Sequence, residues 1–70
     1  MNNQQQKTFR LYWRDGTTNI VHGATIAAAM NASGYGAGSI SALDFYNEKE
    51  EVTHEWVDGY WVRKDEQAVA

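Results

Sequence analysis

The stretch FRLYWRDGTTNIVH, residues 9–22, decides how this chain folds. Two runs rich in aromatic and β-branched residues flank Asp15-Gly16. Asp-Gly in that setting is the strongest short-range hairpin signal, because a type I′ turn needs positive φ at both central positions. A two-residue loop sets the register as Arg14–Thr17, Trp13–Thr18, Tyr12–Asn19, Leu11–Ile20, Arg10–Val21 and Phe9–His22. Alternation along the strands then puts Phe9, Leu11, Trp13, Thr18, Ile20 and His22 on the core side. The other face holds Arg10, Tyr12, Arg14, Thr17, Asn19 and Val21, a polar surface with one tyrosine between two arginines.

Downstream, Gly23 leads into ATIAAAMNAS, residues 24–33. Alanine and methionine favour helix, and Ile26, Ala29, Met30 and Ser33 share one stripe. Thr25 or Gly23 suits the N-terminal cap, and Gly34 suits the left-handed position past the end. The small side chains predict close packing on a sheet. After the glycine-rich turn Gly34–Ser39, SISALDFYN reads as a strand, opened by a helical turn at Ser39–Ala42, with Leu43 and Phe45 inward and Asp44 and Tyr46 outward. A second Asp-Gly, Asp58-Gly59, predicts the pairs Val57–Tyr60, Trp56–Trp61, Glu55–Val62, His54–Arg63 and Thr53–Lys64. Both faces of that hairpin are half apolar, so its inner side is open at this level. The fold class is α+β: a mainly antiparallel sheet, ββαβββ, with one short helix on one face.

Seventy residues make one domain. The polar MNNQQQ (1–6) and the unpatterned DEQAVA (65–70) are expected to be disordered tails, leaving 7–64 to fold. A domain this small buries only about 60% of its unfolded surface and needs extra support. Disulfides are excluded by the absence of cysteine. The remaining supports are a dense aromatic core, from three Trp, four Tyr and two Phe, and self-association, so a homodimer is expected. Absence of cysteine suits a reducing compartment. The N-terminus lacks the apolar run of a signal peptide, and Ala24–Met30 is too short to span a membrane. A cytoplasmic protein without membrane contact is the expectation.

The net charge of −3 is unevenly spread. Residues 1–43 sum to +2 and residues 44–70 to −5. That balance disfavours phosphate-backbone binding, which needs clustered Lys and Arg. Catalytic signals are equally thin. The glycines at 34–38 follow a helix C-terminus, whereas phosphate loops precede an N-terminus. His22 and His54 with carboxylates make a poor zinc set. Ser39 and Ser41 lack the Gly-x-Ser-x-Gly frame. No catalytic residue, metal or cofactor is expected, and the chain reads as a non-enzyme.

The aromatics exceed what so small a core can hold. Tyr12, Tyr46 and one of the sets Trp56/Trp61 or Val57/Tyr60 are therefore candidates for an open sheet face, flanked by Arg10 and Arg14, with Tyr35 as a contact residue between glycines. Aromatics with arginine are enriched at binding hot spots, and they also stack nucleobases. Glu48, Glu50, Glu51 and Glu55 form an acidic surface suited to a basic groove on a partner. The expectation is a protein-interaction or inhibitor module; the alternative is a nucleotide or single-stranded nucleic-acid binder using the same aromatics, within one subunit or between subunits.

Residues 10–48, through LYWRDGTTNIVHG and GYGAGSISALDFYNE, resemble a pattern in short bacterial and phage proteins. There a strand with Trp and Asp-Gly leads to a short helix, then Gly-Tyr-Gly, then Ala-Leu-Asp with an aromatic. The resemblance implies a small mobile-element accessory protein, and by analogy of size and style with small acidic phage proteins, occlusion of a host protein is the expected mode of action.

Overall fold

The computed structural model describes residues 6–67. In chain order it contains β1 (Lys7–Trp13), β2 (Thr18–Gly23), α1 (Ile26–Ala32), a 3₁₀ helix (Ala37–Ala42), β3 (Leu43–Asn47), β4 (His54–Val57), β5 (Tyr60–Arg63) and α2 (Lys64–Gln67). This is the α+β order that the sequence predicts. The strands divide into two antiparallel sheets, β2-β1-β3 and β4-β5. The helix α1 packs on one face of the three-stranded sheet and the β4–β5 hairpin on the other. Residues 1–5 and 68–70 of the expected tails lie outside the described residues. Residues 65–67 of the expected C-terminal tail belong to a helical turn, Lys64–Gln67.

The first hairpin differs from its expected register by one residue. Phe9 pairs with Val21, Leu11 with Asn19 and Tyr12 with Thr18. Gly16 N–H donates to the Trp13 carbonyl at 3.1 Å, and Trp13 N–H donates to the Thr17 carbonyl at 2.9 Å. Gly16 alone takes positive φ, +90°, so the loop is the three residues Arg14-Asp15-Gly16, a turn closed by a left-handed glycine. The Asp15 carboxylate accepts from Thr17 N–H (3.1 Å) and Thr17 Oγ1 (2.7 Å), which holds the extra residue in place. The shift exchanges the faces of β2. Val21 enters the core at 1% exposure. Thr18, Ile20 and His22, expected inside, turn to the opposite face with Tyr12, and His22 is exposed.

Ala29 and Met30 of α1 meet Phe9, Leu11 and Val21 of the sheet, with Trp13, Ile26, Tyr35 and Leu43 packed around them. Full burial of each large apolar side chain there contributes about 1.5–3 kcal/mol. The helix starts where Thr25 Oγ1 accepts from Ala28 N–H at 3.1 Å. It stops where Gly34 adopts φ +91° and Tyr35 N–H reaches back to the Met30 carbonyl at 2.9 Å, a Schellman ending. Close packing is explicit at Gly23, where a Cβ would sit 2.6 Å from Ala29 N.

Between Tyr12 and Trp13 the β1–β3 register slips, pairing Trp13 with Leu43 and Tyr12 with Phe45. This bulge corrects the expectation that Leu43 and Phe45 share a face. Leu43 joins the helix-side core, whereas Phe45 stacks on Tyr12 on the other face, rings 4.4 Å apart and 5° from parallel. Tyr46 returns to the helix side, edge-on to Phe9 at 5.8 Å.

The second hairpin has the expected register. Asp58 at φ 51° and Gly59 at φ 86° give the type I′ turn. Its inner side is the one with Trp56, Trp61 and His54. Trp61 and His54 meet Tyr12 edge-on at 5.0 and 5.2 Å, and Trp56 lies flat on Gly16, leaving no room for a Cβ. Val57 and Tyr60 face outward, Tyr60 at 73% exposure. Among the described residues, no helix is long and apolar enough to cross a membrane.

A candidate binding groove at the tip of the first hairpin

The expected open aromatic face is closed. Tyr12 is 0% exposed, filled over by Phe45, His54 and Trp61. Its hydroxyl meets Thr53 Oγ1 at 3.0 Å and accepts from Thr53 N–H at 2.9 Å. Thr53 Oγ1 also accepts from Asn47 Nδ2 at 2.9 Å and lies 2.8 Å from His54 Nδ1. With one proton and two lone pairs, the Thr53 hydroxyl is fully engaged by Tyr12, Asn47 and His54. Trp56 and Trp61 belong to the same cluster, and Trp61 Nε1 donates to the Trp13 carbonyl at 2.9 Å. These three aromatics hold the two sheets together.

Arg10 is drawn away from Arg14. Its guanidinium donates to the Glu50 carbonyl, tying down the acidic turn, and its Nε has no hydrogen-bond partner among the described residues. Glu48, Glu50, Glu51 and Glu55 are exposed, with Glu48 4.0 Å from Lys7 Nζ. Tyr46 is 44% exposed and borders a separate shallow hollow with Met30 and Ile40.

Arg14 and Tyr35 do converge. They line an open groove of about 640 Å³ at the hairpin tip, together with Trp13, Thr17, Asn19 and Ser39. The Trp13 and Tyr35 rings lie 5.1 Å apart, tilted by 40°. Asn19 clamps them: Trp13 Nε1 donates to Asn19 Oδ1 at 2.5 Å, and Asn19 Nδ2 donates to Tyr35 Oη at 2.9 Å. Both rings are half-buried, rooted in the core below and open to the groove above. The one-residue register shift creates this arrangement, because it brings Asn19 to the helix side opposite Leu11. On the rim, Arg14 N–H donates to the Ala42 carbonyl at 2.9 Å, fixing the loop against the 3₁₀ helix.

The other charge on the rim is Asp15. Hydrogen bonds from the Thr17 hydroxyl and then the Thr17 N–H hold its carboxyl below the ordinary value of 3.8. At neutral pH it is a fixed anion and an acceptor only. Among the described residues, no three His, Cys, Asp or Glu side chains come together as a metal-binding group. Sequence reasoning places Asn19 on the wrong face; Trp13 is on the core side as expected but is not singled out by it as a groove residue. An asparagine inside an otherwise β-branched strand is a poor strand former, and that was the signal available for it. No known protein family, no curated protein and no solved structure matches this chain.

Proposed function

We propose that this protein is a non-enzymatic, cytoplasmic interaction module that binds a protein partner through the Trp13–Asn19–Tyr35 groove. The observation that supports it is the clamp itself. Two aromatic rings are held by hydrogen bonds in an open concavity, with Arg14 beside them. Side chains immobilised before binding lose little rotamer entropy on contact, so such rings are efficient anchors. Trp, Tyr and Arg are also the residues that dominate binding energy at interfaces. The groove suits an inserted apolar or aromatic side chain with a carboxylate placed for Arg14. The acidic turn at Glu48–Glu51 lies elsewhere on the molecule and adds a second, electrostatic contact region. In this reading the protein occludes a surface on a host protein, by analogy with other small acidic proteins that lack catalytic residues.

Capture from a bacterial lysate, followed by titration of the captured protein, tests the proposal. Arg14 is exposed and makes its fold contact through the backbone, so Arg14→Ala stays folded and is expected to weaken binding at least tenfold. In heteronuclear NMR, the Trp13 indole and Asn19 amide signals should move when the partner is added. Partner binding that ignores both Arg14→Ala and Tyr35→Ala would sink it. Saturable quenching of tryptophan fluorescence by nucleotides or single-stranded oligonucleotides would instead favour the base-stacking reading.

A further inference from the structure

Among the described residues, the outer edge of β2 pairs with no other strand. Strand β2 ends the β2-β1-β3 sheet, with β1 as its neighbour. The Trp13–Thr17 hydrogen bond starts their ladder, and antiparallel alternation then turns the backbone groups of Asn19 and Val21 toward β1. Those of Thr18, Ile20 and His22 point away from the sheet. Natural edges are blunted by charges, proline, bulges or a covering segment. Here the chain has no proline, the bulge lies between β1 and β3, and no Asp, Glu, Lys or Arg occurs between Asp15 and Asp44. That uncharged span includes all of β2 and α1, so the edge strand and the helix packed on it contribute no Asp, Glu, Lys or Arg of their own.

We propose that two copies of this chain pair through β2, antiparallel, about a two-fold axis at Ile20. Ile20 then faces the partner's Ile20, and Thr18 faces the partner's His22. Each of these is a hydrogen-bonded pair, giving roughly six new backbone hydrogen bonds. A two-fold interface requires a self-complementary patch, and three outward-facing residues symmetric about Ile20 provide one. Charge selects this occupant. A nucleic acid needs cations that this strand and helix lack, and a strongly charged protein finds nothing on them to pair with. Two acidic copies, by contrast, can meet here without opposing like charges. The β3 edge offers no such match, since self-pairing would gather Asp44 and Glu48 from both copies along one short ladder. On the helix side, Ala28 and Ala32 are small and exposed, on the flank of α1 opposite Ala27 and Met30, which line the hollow toward β3.

Sedimentation equilibrium of the full chain should give twice 7.9 kDa at high concentration. His22→Pro removes an outward N–H while leaving the β1–β2 ladder intact, and should weaken self-association at least tenfold with an unchanged circular dichroism spectrum. Amide exchange on the unmutated chain gives a readout independent of that variant. Thr18, Ile20 and His22 should exchange slowly when concentrated and fast when diluted. A monomer at millimolar concentration, a dimer unaffected in folded His22→Pro, or fast exchange at these three amides in the dimer overturns the proposal. Arg14→Ala should leave the mass unchanged, which keeps this test separate from that of the groove.

Discussion

Gly16 carries two constraints at once: a left-handed φ of +90° and a tryptophan ring resting on its Cα. Alanine there meets the conformational penalty, about 1–2 kcal/mol, and must also displace Trp56. Gly16→Ala is expected to lower the unfolding free energy obtained from urea titration by at least that much. Tyr12→Phe keeps the ring but deprives Thr53 N–H of its acceptor, and a buried donor left unsatisfied costs about 1–3 kcal/mol. Asp15 supplies a pH dependence. Folding lowers its pKa, so its stabilising contribution is complete above 3.8 and is lost as pH falls through the folded value. Urea titrations carried down into that acid range should show the loss, and Asp15→Asn should reduce it. These residue-level roles were only partly legible. Tyr12 looked like a surface aromatic because alternation assigns faces without saying whether a later hairpin covers one.

At the scale of elements, the two Asp-Gly dipeptides show what local sequence decides. Both make hairpins, and the second has the register that a type I′ turn dictates. The first does not, because Asp-Gly also fits a three-residue loop in which only the glycine is left-handed. The choice there rests on the Asp15–Thr17 hydrogen bonds and on Trp56 lying against Gly16, and the second of these joins residues 40 positions apart in sequence. The β3 bulge was illegible for the same kind of reason, since it reconciles Leu43 with one layer and Phe45 with the other. The helix was legible almost to its caps. Thr25→Ala should cost about 1 kcal/mol by removing the N-cap. Gly23→Ala should cost more, because the clash is with helix backbone, which cannot rotate aside as a side chain can. Thermal melts of the two variants side by side check that order.

For the molecule as a whole, β1 faces two layers, with Leu11 and Tyr12 both at 0% exposure on opposite sides. Neither layer is large enough to stand alone, so they should unfold as one. Far-ultraviolet dichroism, which follows backbone structure, and tryptophan fluorescence, which follows the junction of the sheets, should give coincident urea transitions. Trp61→Ala removes both a junction ring and the hydrogen bond to the Trp13 carbonyl. Losses of about 3–5 kcal/mol are usual for such a truncation, enough to unfold much of the population of a domain this small. Groove and junction also share Trp13, whose ring serves the first and whose carbonyl serves the second.

The doubly covered strand has a consequence for how the chain tolerates change. A strand with one wet face lets every second position drift, but Phe9–Trp13 has few positions that are not spoken for on one side or the other. Deep mutational scanning should therefore find its narrowest band of accepted residues there, uninterrupted by the permissive alternation seen in half-exposed strands. A one-residue insertion in this segment would send each layer the side chains meant for the other, and no loop adjustment downstream could restore both.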